Sequence, residues 1–219
     1  MKMKNKRYIG IGGVARVGKN LFYDIANDIL KKEYNLTSKA HALAYYLKRD
    51  CEEFVKEKLG LSVWSENTAD KDIFRPLLVW YGGVKRKQTN GRYWVEMLQK
   101  DLEKSDAEIN FITDIRYVMY DKDEVFWLRN ELNGKLVHIT KFTMVDETIN
   151  KFDKPNIVKK YVEPANEHEL VNDPILKKWS DVSIEWQDIG SGGKKSYNEL
   201  INDPYLREVV GEVLKTLFK

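Results

Sequence analysis

Gly13-Val14-Ala15-Arg16-Val17-Gly18-Lys19-Asn20 has the spacing Gly-x-x-x-x-Gly-Lys. Its chemistry is anion binding. Glycines let the backbone curl so that several N–H groups point inward. A following helix adds positive potential at its N-terminus. Lys19 then brings a full charge to the β and γ phosphates of a nucleotide. The predicted loop covers Gly13 to Leu21. Asn20 stands where Ser or Thr usually ligates Mg2+, so direct ligation by the loop is weakened. A glycine-rich turn carrying a chance lysine is the plain alternative.

Further charged residues are predicted at strand exits. Lys39 is placed at the opening of a second helix, Arg75 at a third, and Asp114 and Arg116 just past a buried strand. In an open α/β sheet, ligands bind beyond the carboxyl ends of the strands. Two anion pockets on one cleft suit phosphoryl transfer between phosphates. A phosphate monoester acceptor is already ionised near neutrality and needs no strong base. The sequence shows no evident His-Asp or Cys-His pairing, which fits that case. An alcohol acceptor would want a base, and Asp114 is a candidate, so a small-metabolite kinase stays open. A binding module without catalysis also stays open, on Asn20 and the basic run Lys85-Arg86-Lys87.

The elements that must position these groups follow from periodicity. Tyr8–Gly12, Tyr34–Thr37, Asn110–Thr113, Lys135–Thr140 and Val182–Trp186 are predicted strands. Helices are predicted over Gly18–Lys32, Ala40–Leu59, Tyr93–Leu102, Asp123–Asn130 and Tyr205–Phe218. Another starts at Arg75, limited by Pro76 and broken by Gly82-Gly83, after a surface connection over Ser62–Asp72. Periodicity fades from Lys141 to about Trp179, where Asn172-Asp173-Pro174 reads as a turn. Gly190–Lys195 reads as a flexible turn. Strands alternating with helices predict an α/β fold with a parallel sheet covered on both faces.

Composition narrows the classes. With 37 Lys+Arg against 34 Asp+Glu in 219 residues, the net charge is only +3, so no general polyanion binder is expected. Hydrophobic residues make up 42%, enough for a core. Cys51 stands alone, which excludes an intramolecular disulfide and a Cys-rich zinc site. His41, His138 and His168 have no metal-ligand spacing and read as structural or surface residues. No apolar run approaches the roughly 20 residues of a membrane span. The N-terminal stretch lacks the apolar core of a secretory signal, and a cytoplasmic protein is expected.

These pieces, taken in order, resemble the phage deoxynucleoside monophosphate kinases of the T-even type, within the P-loop nucleoside monophosphate kinase superfamily. They are the loop, Lys39–Ala44, Arg75–Gly83, Arg92–Val95, Thr113–Tyr117 with Asp123-Glu124, and His138–Lys141. The resemblance covers roughly residues 8–141. It implies a three-layer P-loop NTPase fold with five parallel strands. Residues 1–140 would form the core, 141–178 a lid-like insertion, and 179–219 the last strand and helix of the same domain. It implies ATP and Mg2+ as cofactors, and phosphorylation of a deoxynucleoside monophosphate. Lys39, Arg75 and Arg116 would hold the acceptor phosphate. Asp114 would contact the acceptor or a metal-bound water, with Asn20 as the other metal candidate. Gly82, Gly83 and Trp94 would shape the base and sugar pocket, although Trp94 reads equally as core. Arg16 and Lys19 would touch ATP phosphates, and Lys141, Lys151 and Lys154 would belong to the lid. Lys141 stands where the family has Arg. Nucleotides are the expected partners, without membrane or specific nucleic acid. A homodimer stays open, and the setting would be a host cytoplasm if the chain is phage-encoded.

Overall fold

Among the described residues six strands form one mixed sheet, and the alternation of their side chains decides what covers each face. The computed structural model describes residues 6–148, 154–190 and 195–218. Strands β1 (Arg7–Gly12), β2 (Ser38–His41), β3 (Ile109–Ile112) and β4 (Lys135–Asp146) lie in the order β2-β3-β1-β4, all parallel. β4 has two further neighbours. β6 (Val182–Gln187) runs parallel to it, and β5 (Ile157–Tyr161) antiparallel. Phe142 pairs with Tyr161 of β5 and with Gln187 of β6, so these strands flank it on opposite sides. β1 and β6 both pair Val137 and His138, so they too lie on opposite sides. β5 therefore takes over the side of β4 that β1 leaves at Gly12. The expectation of five parallel strands is corrected to a mixed six, because β4 runs on to Asp146 and recruits β5.

On one face, Ile9, Ile11, Ile109, Phe111, Val137 and Ile139 pack against α1 (Lys19–Glu33) and α8 (Pro204–Leu217). Both helices repeat apolar residues every three or four positions. Phe22, Ile25, Ala26, Ile29 and Leu30 face inward from α1, and Leu206, Val210, Val213 and Leu214 from α8. The other face carries Ile112 and Leu136. It is covered by α2 (Leu43–Leu59), α4 (Arg92–Lys104), the short α5 (Glu124–Phe126) with the π turn Trp127–Glu131, and α6 (Glu167–Trp179). Strand residues one apart thus serve two separate cores. The short α7 (Tyr197–Ile201) precedes α8. No helix among the described residues is long and apolar enough to cross a membrane.

Several boundaries differ from expectation. The second strand is Ser38–His41, not Tyr34–Thr37, because α1 runs to Glu33 and Asn35 then turns the chain at φ 52°. The next helix accordingly starts at Leu43. α3 (Thr68–Gln88) runs unbroken through Pro76 and Gly82-Gly83, and its first turn lies within the expected surface connection. Gly82 faces α2, where a Cβ would come within 3.2 Å of Leu47 Cδ2. Glycine here lets two helices close up rather than ending one. Cys51 is buried between these helices with Val55, Val63, Phe74 and Leu78.

Segment 141–178 is more ordered than its pattern implies. It holds the end of β4, then β5, then α6 with Asn172-Asp173-Pro174 inside the helix. α6 is amphipathic in reverse. Glu169, Asn172 and Leu176 point inward, while Leu170, Val171, Ile175 and Trp179 are exposed. Apolar periodicity cannot find a helix whose polar side chains face the protein. Predicted residues Lys151 and 191–194 lie outside the described residues.

Candidate functional site

The loop after β1 is bent by residues that tolerate positive φ. Gly13, Arg16 and Gly18 have φ of 126°, 68° and 95°. A Cβ at Gly13 would lie 2.4 Å from the Ile139 carbonyl oxygen of β4, and one at Gly18 would lie 2.7 Å from the Trp186 ring. Trp186, buried in β6, also donates its indole N–H to the Val17 carbonyl at 2.8 Å. Strand residues thus press the loop from below. Gly13→Ala is expected to cost at least about 2 kcal/mol, since both the φ and the contact are wrong for a side chain. A urea titration of the two proteins measures it, and an unchanged midpoint would contradict this account of the loop.

Lys19 is the first residue of α1, and its ammonium turns back onto the loop. It donates to the carbonyls of Gly13 and Val14, each at 2.7 Å. Burial lowers its pKa to about 8, and the Arg116 charge acts in the same sense, against Glu169, Asp114 and Asp173.

Beside the loop lies a cleft of about 290 Å³. Its walls are apolar, with Leu43, Leu47, Phe74, Leu78 and Trp94. Six cations also line it: Arg16, Lys48, Lys71, Arg75, Arg86 and Arg116. Of the residues expected here, Ala15, Arg16, Arg75, Gly82, Trp94, Asp114 and Arg116 line the cleft together. Gly83 is exposed outside it. Lys39 is also elsewhere. It projects from edge strand β2 into an open depression shared with Asn20 and His41, and Lys48 and Lys71 stand in the cleft instead. Lys48 falls on the cleft side of α2 with Leu43, Ala44 and Leu47, a spacing that could have revealed it.

Asp114 is committed to structure. Its two oxygens accept the Leu43 and Ala44 N–H groups, both at 2.8 Å, and so cap α2, whose own N-cap residue Ala42 has no capping side chain. Asn20 and Asp114 line different depressions, so the expected metal pair does not converge. Among the described residues, no cluster of three or more His, Cys, Asp or Glu side chains could hold a metal ion.

Beneath the cleft, Arg86 is buried against two carboxylates. It reaches Asp123 at 2.5 Å and Glu124 at 2.7 Å, with its guanidinium 3.7 Å from the Tyr117 ring centroid. Of the run Lys85-Arg86-Lys87, Arg86 is therefore withdrawn from solvent, while Lys87 is exposed. Glu124 also accepts the N–H groups of Arg116 (2.6 Å) and Tyr117 (3.1 Å), which fixes the chain carrying Arg116. Burial pushes the Glu124 carboxyl up, and the Arg86 charge opposes that rise.

α6 supplies what sequence reasoning missed. Glu169 accepts from the Ala15 N–H at 3.0 Å, from the Ala165 N–H at 3.0 Å and from Arg116 Nη1 at 2.9 Å. Asp173, also on α6, lies 3.0 Å from Nε2 of buried His138. A His-Asp pair therefore exists, contrary to expectation, between β4 and a helix that the pattern conceals. His138 Nδ1 has no partner, alone among the buried side-chain nitrogens and oxygens of the described residues.

A second depression, of about 250 Å³, lies on the other side of the loop. Val17, Gly18, Leu21, Lys141, Asp188 and Leu200 line it. Lys141 is expected in a lid; the structure holds it within β4, 3.0 Å from Asp188. Lys154 is exposed just before β5, and Lys159 pairs with Glu185 at 3.2 Å. No protein-family model matches the chain, and the search of curated proteins finds no match.

Proposed function

We propose that the protein transfers a phosphoryl group from ATP to a (deoxy)nucleoside monophosphate. One observation carries the reading: a single glycine-rich loop is shared by two cavities. Ala15 and Arg16 face the larger cleft, and Val17 and Gly18 the smaller depression. A triphosphate lying along the loop would have its nucleoside in the smaller depression and its terminal phosphate toward the cleft. The larger cleft suits the acceptor. Its apolar walls, with the Trp94 and Phe74 rings, match a planar base, and its cations match a phosphate dianion, apart from Arg86, which Asp123 and Glu124 already hold.

Lys19 and the loop N–H groups would bind the transferring phosphate, and Arg116 would neutralise charge between donor and acceptor. A phosphate acceptor needs no base. That agrees with Asp114, whose oxygens are both engaged by the start of α2, and it disfavours an alcohol acceptor. The residues present do not form a cage for Mg2+. The ion would arrive on the nucleotide, held mainly by phosphate oxygens and water.

The test is ADP release from ATP across a panel of nucleoside and deoxynucleoside monophosphates, with sugars and nucleosides alongside. At least one monophosphate is expected to stimulate turnover strongly, and the alcohols to do nothing. If no monophosphate raises ADP release, the reading is wrong.

A further inference from the structure

Glu169 lies where a phosphate should go. Its carboxylate takes the Ala15 N–H of the loop with one oxygen and the Arg116 guanidinium with the other, at 3.0 and 2.9 Å. An N–H of the loop and a guanidinium from a strand exit are what a phosphoryl group would use here. The residue is 8% exposed, so the contact is packed rather than transient. The start of α6 does not require it, because Asn166 already caps the helix by accepting the Glu169 N–H at 3.0 Å.

The carboxylate also holds the Ala165 N–H, which ties the chain before α6 to the loop. Ala165, Asn166 and Glu169 all line the main cleft. A phosphate oxygen and Glu169 would compete for the Ala15 N–H. Two anions sharing Arg116 would also repel each other at close range.

We propose that Glu169 is a built-in anion that occupies the loop of the free protein and is displaced by the terminal phosphate of the nucleotide. Arg116 then exchanges a carboxylate for a phosphate, and the first turn of α6 is released from the loop. Nucleotide binding thereby opens the wall of the cleft that receives the second substrate. The inference rests on the nucleotide reading given above.

Inorganic triphosphate is the probe, titrated by calorimetry into the wild type and into Glu169→Gln. Glutamine keeps the size and removes the charge. The variant is expected to bind at least about tenfold more tightly, since it no longer opposes an anion. Hydrogen exchange on the wild type gives an independent reading. Amides 165–169 are expected to exchange faster once triphosphate saturates the protein, because Ala165 loses its acceptor. Equal or weaker affinity in a folded Glu169→Gln protein overturns displacement, as does unchanged or slower exchange at 165–169. If Glu169→Gln does not fold, the wild-type exchange decides. Equal binding by both proteins sinks the displacement alone, whereas binding by neither sinks the nucleotide reading with it.

Discussion

Lys19→Ala is expected to lower phosphoryl transfer by about 10²–10³-fold or more while leaving the fold intact. The lost term is the ammonium that would clamp the transferring phosphate. The fold survives because two effects of the substitution oppose each other. The ammonium donates two hydrogen bonds to loop carbonyls, together worth roughly 3–6 kcal/mol. Against this, its pKa is lowered from 10.5 to about 8, which corresponds to a cost on the order of 3 kcal/mol for keeping it charged at neutral pH.

The sign of the pH effect follows. Below pH 8 both folded and unfolded chains hold the proton, and the cost is present in full. Between pH 8 and 10.5 the unfolded chain binds more protons than the folded one, so this residue makes stability rise with pH. Urea midpoints of the wild type and Lys19→Ala at pH 7 and pH 10 measure the difference. The wild type should gain relative to the variant at the higher pH. A parallel pair of curves would show that the lysine is not buried in its charged form. Retained transfer in Lys19→Ala would remove the loop from the mechanism.

Arg86→Met is expected to cost about 3–5 kcal/mol of stability. Removing the guanidinium leaves Asp123 and Glu124 buried, at 1% and 3% exposure, without their cation. For a chain of this size that corresponds to a fall in Tm of roughly 10 °C. The damage should reach the site, because Glu124 holds the amides of Arg116 and Tyr117. Calorimetric melting and acceptor KM test both halves. A Tm within about 2 °C of wild type would mean that the two carboxylates do not depend on Arg86.

The loop is legible in the sequence because positive φ at Gly13 and Gly18 restricts those positions to glycine, and strands β1, β3 and β4 because their apolar runs are buried on both faces. Arg116, Arg75 and Trp94, expected together, all line the cleft. Lys39 does not, because a shift of β2 by four residues turned a presumed helix start into an edge strand. Arg86 is hidden for a different reason. It continues the buried series Phe74, Leu78, Gly82 at a spacing of four, but the carboxylates that hold it lie 37 and 38 residues away. Glu169 and Asp173 are hidden by the reversed face of α6, where polar side chains face the protein.

β4 contacts nearly everything of interest. Its Ile139 carbonyl faces Gly13, its His138 meets Asp173 of α6, and its Lys141 meets Asp188 at the smaller depression. One strand therefore acts as a ruler between the two cavities, with graduations one residue apart. A single residue inserted between His138 and Lys141 would turn the downstream side chains to the opposite face and move the linings of the two cavities out of step. Sequence length should accordingly be locked within these four positions.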